Sequence, residues 1–268
     1  MSAHQFHQVR LPAFAGMFYP ASADELRRLV QFCLDGAVRC TSGRSSKAFV
    51  LPHAGYVYSG PVAGSGYRCL QMDRDIIKRV IVLGPSHRAT FTGIAVSEAS
   101  EFATPLGEIP VDESAIGQIR EFPQVRVMES AHAHEHSIEV HLPFLQVVLE
   151  NFTIVPLVVG EAREEEISVV LEKIWGGPET RIIVSSDLSH FHQYAVARQL
   201  DEETAERIEK LEPVEPDQAC GCIPLNGLLC SARLHKLNSH ILDLRNSGDT
   251  AGDRARVVGY GAIAFGKS

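Results

Sequence analysis

The chain is poor in the features that classify a sequence quickly. No apolar run among its 268 residues is long enough to cross a bilayer, so no membrane role is expected. Positive charge is short: 25 Lys and Arg stand against 33 Asp and Glu, for a net charge of −8. That excludes a basic footprint for nucleic acid or for an anionic lipid surface. The opening MSAHQFHQVRLPAF lacks the basic-then-apolar layout of a secretory signal. The six cysteines (Cys33, Cys40, Cys69, Cys220, Cys222 and Cys230) follow no framework spacing, so reduced thiols in a cytoplasmic protein are expected. Cofactor and nucleophile signatures are missing as well. There is no Gly-x-x-x-x-Gly-Lys loop, and GYGAIAFG near the end has glycines at the wrong spacing for a dinucleotide loop. No Gly-x-Ser-x-Gly elbow and no helical His-Glu-x-x-His pair occurs. A nucleotide cofactor and a serine nucleophile are therefore set aside.

What is present is ordinary globular material, 45% hydrophobic and 22% charged, with no repeat and no linker long enough to divide it. We expect one domain over residues 1–268, the first eight forming a loose end. Apolar runs near 47–51, 79–83, 93–97, 153–159, 181–185 and 257–265 read as strands. Helical periods lie near 22–36, 60–71, 113–120, 137–150, 163–174, 199–210 and 223–236. Strands interleaved with helices give an α/β fold with a central mixed, mostly parallel sheet flanked by helices. GIAVSEASEFATPLGEIPVD carries turn residues and reads as an antiparallel excursion, while the charged stretch 244–257 reads as a surface loop.

Three of the apolar runs end in groups able to hold a metal or move a proton. KAFVLPHAG places His53 after a strand, RVIVLGPSH places His87, and RIIVSSDLSH places Asp187 and His190. Ligands in open α/β sheets bind beyond the carboxyl ends of the strands, so these groups are expected to share one crevice. Each histidine alone could simply cap a strand by bonding a neighbouring carbonyl; together they favour a site assembled from separate loops. Asp187 lies three residues before His190, close enough to orient or charge it for acid–base work. ACGCIPLNG offers Cys220 and Cys222, and Cys220 sits in a polar, glycine-flanked loop where its thiolate could complete a metal site. AHEHSIEVHLPFLQVVLEN begins with Glu135 and His136, with Glu139 one turn on. The choice there between a capped surface helix and a functional segment is left open.

Taken in order, AGMFYP, LPHAGYVYSG, LGPSH, TPLGEIPVD, EHSIEVHLPF, VSSDLSH and CGCIPLNGLL resemble the Memo family, whose fold is similar to class III extradiol ring-cleaving dioxygenases. The resemblance spans nearly the whole chain. It implies a mononuclear metal held by His53, His87 and Cys220, with His136 and His190 poised over a substrate. Iron(II) is the metal expected first, with zinc or copper as alternatives, because a cysteine stands where the dioxygenases use a carboxylate. The expected activity is a dioxygenase-like oxidoreductase acting on a small molecule in the crevice. The alternatives are a non-enzymatic adaptor binding a metal or phosphopeptide, and a zinc-dependent hydrolase. A radical-SAM protein is the macromolecular partner the resemblance suggests.

Overall fold

The computed structural model describes residues 8–40 and 46–267. The expected loose N-terminal end therefore lies, Gln8 apart, outside the described residues. The strands in chain order begin with β1 (Val9–Arg10), β2 (Ser46–Leu51), β3 (Arg79–Pro85), β4 (Ile94–Val96), β5 (Glu101–Thr104) and β6 (Gly107–Pro110). They continue with β7 (Val125–Val127), β8 (Thr153–Val159), β9 (Thr180–Ser185), β10 (His190–His192), β11 (Asn238–Asn246) and β12 (Val257–Gly266). The α-helices are α1 (Ala23–Asp35), α2 (Tyr56–Leu70), α3 (Glu113–Ile119), α4 (Glu129–Ala133) and α5 (His136–Glu139). After them come α6 (Leu142–Val148), α7 (Glu164–Ile174), α8 (Tyr194–Glu209), α9 (Cys222–Leu234) and α10 (Ser247–Thr250).

One nine-stranded sheet organises the molecule, in the order β10-β12-β2-β9-β3-β8-β4-β7, with β11 also paired to β12. Its centre is parallel: β2 on β9, β9 on β3, and β3 on β8. Antiparallel partners flank that centre, β12 on β2 and β4 on β8. Central parallel strands are covered on both faces, which is why their sequences are continuous apolar runs rather than alternating ones. Val80 to Leu83 and Ile182 to Val184 are all at 0% exposure. The helices α1, α2 and α6 pack together in one group, and α3, α7 and α9 in another. Close approach of α1 to α2 depends on Gly64, where an added Cβ would sit 2.5 Å from the Cys33 carbonyl oxygen. The expected antiparallel excursion is the β5–β6 hairpin, which with β1 forms a separate three-stranded sheet. No helix among the described residues is long and apolar enough to cross a membrane.

Three expectations need correction. The single helix expected over 137–150 is broken into α5 and α6. Pro143, in the first turn of α6, has no N–H to donate back into α5, so the helix stops and restarts. The stretch 244–257 is not merely a surface loop: β11 runs to Asn246 and pairs along β12, and α10 follows. Within it, Arg245 pairs with Asp243, which also accepts from Ser65. Lastly, not all six cysteines are free, because Cys40 and Cys69 form a disulfide. The connection out of α1 passes the end of α2 and brings their Cα atoms to 5.2 Å, within bridging range.

Candidate metal centre

The strands β2, β9 and β3 lie side by side with β9 in the middle, and all three run the same way. Their carboxyl ends therefore deliver His53, Asp187 and His87 to neighbouring points without any long-range coincidence. His136 reaches the same place from the start of α5, which packs against β3. The ring centroids of His53, His87 and His136 stand 4.6 to 5.2 Å apart. One nitrogen from each of the three lies within 4.8 Å of the other two.

The hydrogen bonds behind these rings fix which nitrogen faces the crevice. Ser185 donates its hydroxyl proton to the Ser137 carbonyl at 2.5 Å, so its oxygen is free to accept from His53 Nδ1 at 2.6 Å. His53 Nε2 is then left with its lone pair. Glu135 takes the amide and the Nδ1–H of His87, at 2.6 and 2.9 Å, and the Ser137 amide at 2.9 Å. An ionised carboxylate only accepts, so His87 Nδ1 carries its proton towards Glu135 and the ring turns Nε2 to the crevice. Burial alone would push the Glu135 carboxyl up, but the His87 ring and the His87 and Ser137 amides outweigh it and hold it at about 2. His53 is fully buried, and burial pushes its pKa well below the ordinary imidazole value, the neighbouring histidines adding to the effect. Burial also lowers His136 to about 4. These imidazoles are neutral at neutral pH, the form that ligates a metal.

Cys220 Sγ lies 3.2 Å from His53 Nε2 and accepts the Asp187 amide at 3.3 Å. Cys220 is nevertheless outside the group of mutually close donors that the three histidines form. Its thiol is pushed up by burial, with the Asp187 carboxylate adding to the rise. Gly221 makes this placement possible, because a Cβ there would stand 2.4 Å from the Ser185 carbonyl oxygen. Cys222, by contrast, is buried as the first residue of α9. The Asp187 carboxylate accepts the His53 amide at 2.8 Å, and burial lifts its pKa to about 7 against that bond. No hydrogen bond or ion pair joins Asp187 to His190, so the orienting role expected for it falls on the His53 turn instead. His190 is lowered by burial, with the Leu188 carbonyl opposing.

A cavity of about 550 Å³ opens over these groups, and His53, His87, His136, Asp187 and His190 all line it. Phe18, Tyr58 and Tyr260 supply aromatic wall, and Arg88 and Arg256 stand at it. No motif or spacing marks those wall residues in advance. The role of Ser185 in orienting His53 emerges only from the hydrogen bonds. Trp175, the single tryptophan, stacks on His235 at 4.0 Å and does not line the cavity. Glu139, expected within reach of Glu135 and His136, turns away to Arg10.

With this geometry in place, the comparison with known proteins is unambiguous at family level. Residues 10–264 match the family described as Memo-like protein. The chain belongs to the Memo-like family. A "MEMO1 family protein" of Sulfurisphaera tokodaii is 34% identical over 284 residues, covering 96% of this chain and 99% of that one. Proteins of the same description from Metallosphaera sedula and Ignicoccus hospitalis are each 34% identical, covering 96% of this chain and 99% and 98% of theirs.

The donor set of this Memo-like chain suits a metal ion on its own terms. Two Nε2 atoms are held in place by anchored Nδ1 atoms, the arrangement in which a second partner orients a ligating histidine. His136 Nδ1 is buried without a hydrogen-bond partner, Glu135 Oε1 lying 3.3 Å away but out of line. Imidazoles with a nearby sulfur suit iron, zinc or copper rather than magnesium or calcium.

Proposed function

We propose that this Memo-like protein is a metal-dependent, dioxygenase-like oxidoreductase that acts on a small molecule in the histidine-lined cavity. Iron(II) would be held by His53 and His87, with Cys220 as the third donor that the family resemblance implies. One observation carries the reading: His53 and His87 have each surrendered Nδ1 to a protein acceptor, leaving Nε2 for a ligand. Bound there, the metal would supply Lewis acidity and redox chemistry. The chain itself does the remaining work. The strand ends and the Ser185 and Glu135 bonds orient the donors. His190 and His136 face the cavity as imidazoles kept neutral by burial, and Asp187, near 7, is suited to exchange a proton.

His136 is the rival third donor, because it rather than Cys220 completes the mutually close set. Sulfur ligation needs the thiolate, and burial favours the thiol. Binding through Cys220 would release a proton, whereas binding through an already neutral His136 would not. Calorimetry of anaerobic iron(II) binding in buffers of different ionisation enthalpy reads this directly. One proton released in wild type and none in Cys220→Ser assigns the sulfur. Iron(II) stoichiometry is expected to collapse in His53→Ala, and an unchanged stoichiometry there removes the metal centre altogether. Full zinc with no iron in protein purified without oxygen would favour the hydrolase alternative.

A further inference from the structure

The cavity carries two cations that the metal chemistry does not use. Arg88 follows His87 beyond β3, and Arg256 immediately precedes β12. In the sheet order β12-β2-β9-β3, these two strands bracket the pair whose ends carry His53 and Asp187. The arginines therefore approach the same cavity from its two sides, and both line it. Four less exposed arginines hold carboxylates: Arg10 with Glu139, Arg79 with Asp112, Arg181 with Asp73 and Arg245 with Asp243. Among the described residues, Arg88 has no ion pair or hydrogen bond, and Arg256 has only the Phe191 ring, 5.2 Å from its guanidinium carbon. Asp253, the acid at that rim, has its carboxylate on the Ala255 amide at 2.8 Å. In a chain of net charge −8, two guanidiniums that are open over one cavity make that cavity a place for an anion.

We propose that the substrate is a small carboxylate with an apolar or aromatic body, its carboxylate read by Arg88 and Arg256. Guanidinium matches a planar carboxylate through charge-assisted hydrogen bonds. Phe18, Tyr58 and Tyr260 offer the body an aromatic wall, and the volume of about 550 Å³ suits a molecule built on a single ring. A phosphate monoester would make similar contacts but would bring a second negative charge towards Asp253 and Asp187, which share the cavity. The singly charged group is favoured for that reason.

This deepens the proposed function and rests on it for the cavity being the substrate site. The test compares 3,4-dihydroxybenzoate with 3,4-dihydroxybenzamide, equal in shape and different in charge, by calorimetry on the full chain with and without iron(II). The acid is expected to bind about ten- to hundredfold tighter than the amide. That ratio should persist without metal, since the arginines remain, and should fall with rising salt. In the double variant R88Q/R256Q, both changes being on exposed side chains, the ratio should drop to about one with iron(II) stoichiometry unchanged. A ratio near one in wild type, an unchanged ratio in the double variant, or tighter binding of phenyl phosphate than of benzoate overturns the assignment. A preserved ratio with affinities indifferent to iron(II) would keep the arginine assignment and remove the metal reading.

Discussion

Glu135 and Glu139 stand four residues apart in EHSIEVH, both are at most 1% exposed, and they belong to two different regions of the molecule. Glu139 closes a clasp on the N-terminal segment. It pairs with Arg10 and accepts the Ala13 and Phe14 amides at 2.9 and 2.8 Å and the Tyr19 hydroxyl at 2.5 Å. Arg10 also donates to the His132 and Glu135 carbonyls. Both partners of that buried pair have their polar atoms answered within the protein. Glu135 looks the other way, into the histidine crevice, where the answers are incomplete. His136 Nδ1 is buried without a partner there, and His141 Nε2, in the core and off the cavity lining, is likewise unpartnered. Buried polar groups are normally satisfied, so a self-sufficient cluster marks structure, and an unsatisfied cluster over a cavity marks a place for a ligand.

Breaking the clasp should have the largest effect on stability. Glu139→Ala leaves Arg10 buried without its counter-charge and strips three further donors of their acceptor. A loss of about 3–5 kcal/mol is expected in urea denaturation. A loss below about 1 kcal/mol would mean that the clasp is not what anchors the segment.

The histidines should respond to pH instead. His141 is fully buried, with Nδ1 against the Tyr67 hydroxyl at 2.8 Å, and burial lowers its pKa to about 3. Its folded pKa lies below the unfolded 6.5, so the fold favours the neutral ring. The stabilisation is complete above pH 6.5 and is lost as the pH falls from there towards 3. His141→Gln does not titrate. The stability gap between wild type and this variant should therefore narrow by about 2–3 kcal/mol between pH 7 and pH 4. A gap that stays constant across that window would show that His141 is not held neutral by its burial.

How much of this was legible in the sequence depends on how far apart the partners lie. His53, His87, Asp187 and His190 could be read because a central parallel strand announces itself as an apolar run, and the fold places its end at the crevice. The sheet itself was legible for the same reason. Arg10 and Glu139 are 129 residues apart, and nothing local links them. The division of labour between Glu135 and Glu139 was hidden with that link. Pro143 was visible, but helical spacing of Leu142, Leu145 and Leu149 masked the break it causes. The 244–257 stretch looked like solvated loop because its turn residues and charges masked the pairing of β11 along β12, which nothing local announces. Arg256 was overlooked with it. Cys40 and Cys69, 29 residues apart without a framework spacing, gave no sign of pairing.

Smaller effects separate the two anchors within the crevice. Glu135→Gln keeps one oxygen where the His87 amide uses Oε2 and the Ser137 amide and His87 Nδ1 share Oε1, and it removes the charge behind the His87 ring. Iron(II) affinity should weaken about 10- to 100-fold, as for other groups that orient a ligating histidine. Its stability should change far less than that of Glu139→Ala, and equal losses of stability in the two variants would erase the distinction between the regions.

Ser185→Ala tests the weaker anchor. The His53–Ser185 hydrogen bond is between neutral groups, worth about 1 kcal/mol, against a charge-assisted bond at His87. Iron(II) affinity should fall about fivefold, less than in Glu135→Gln. His53 would still be steered, because Asp187 holds its backbone amide at 2.8 Å whatever occupies position 185. A loss larger than that of Glu135→Gln would reverse the ranking. It would mean that the tautomer of His53, rather than the charge behind His87, governs how the crevice takes up a metal.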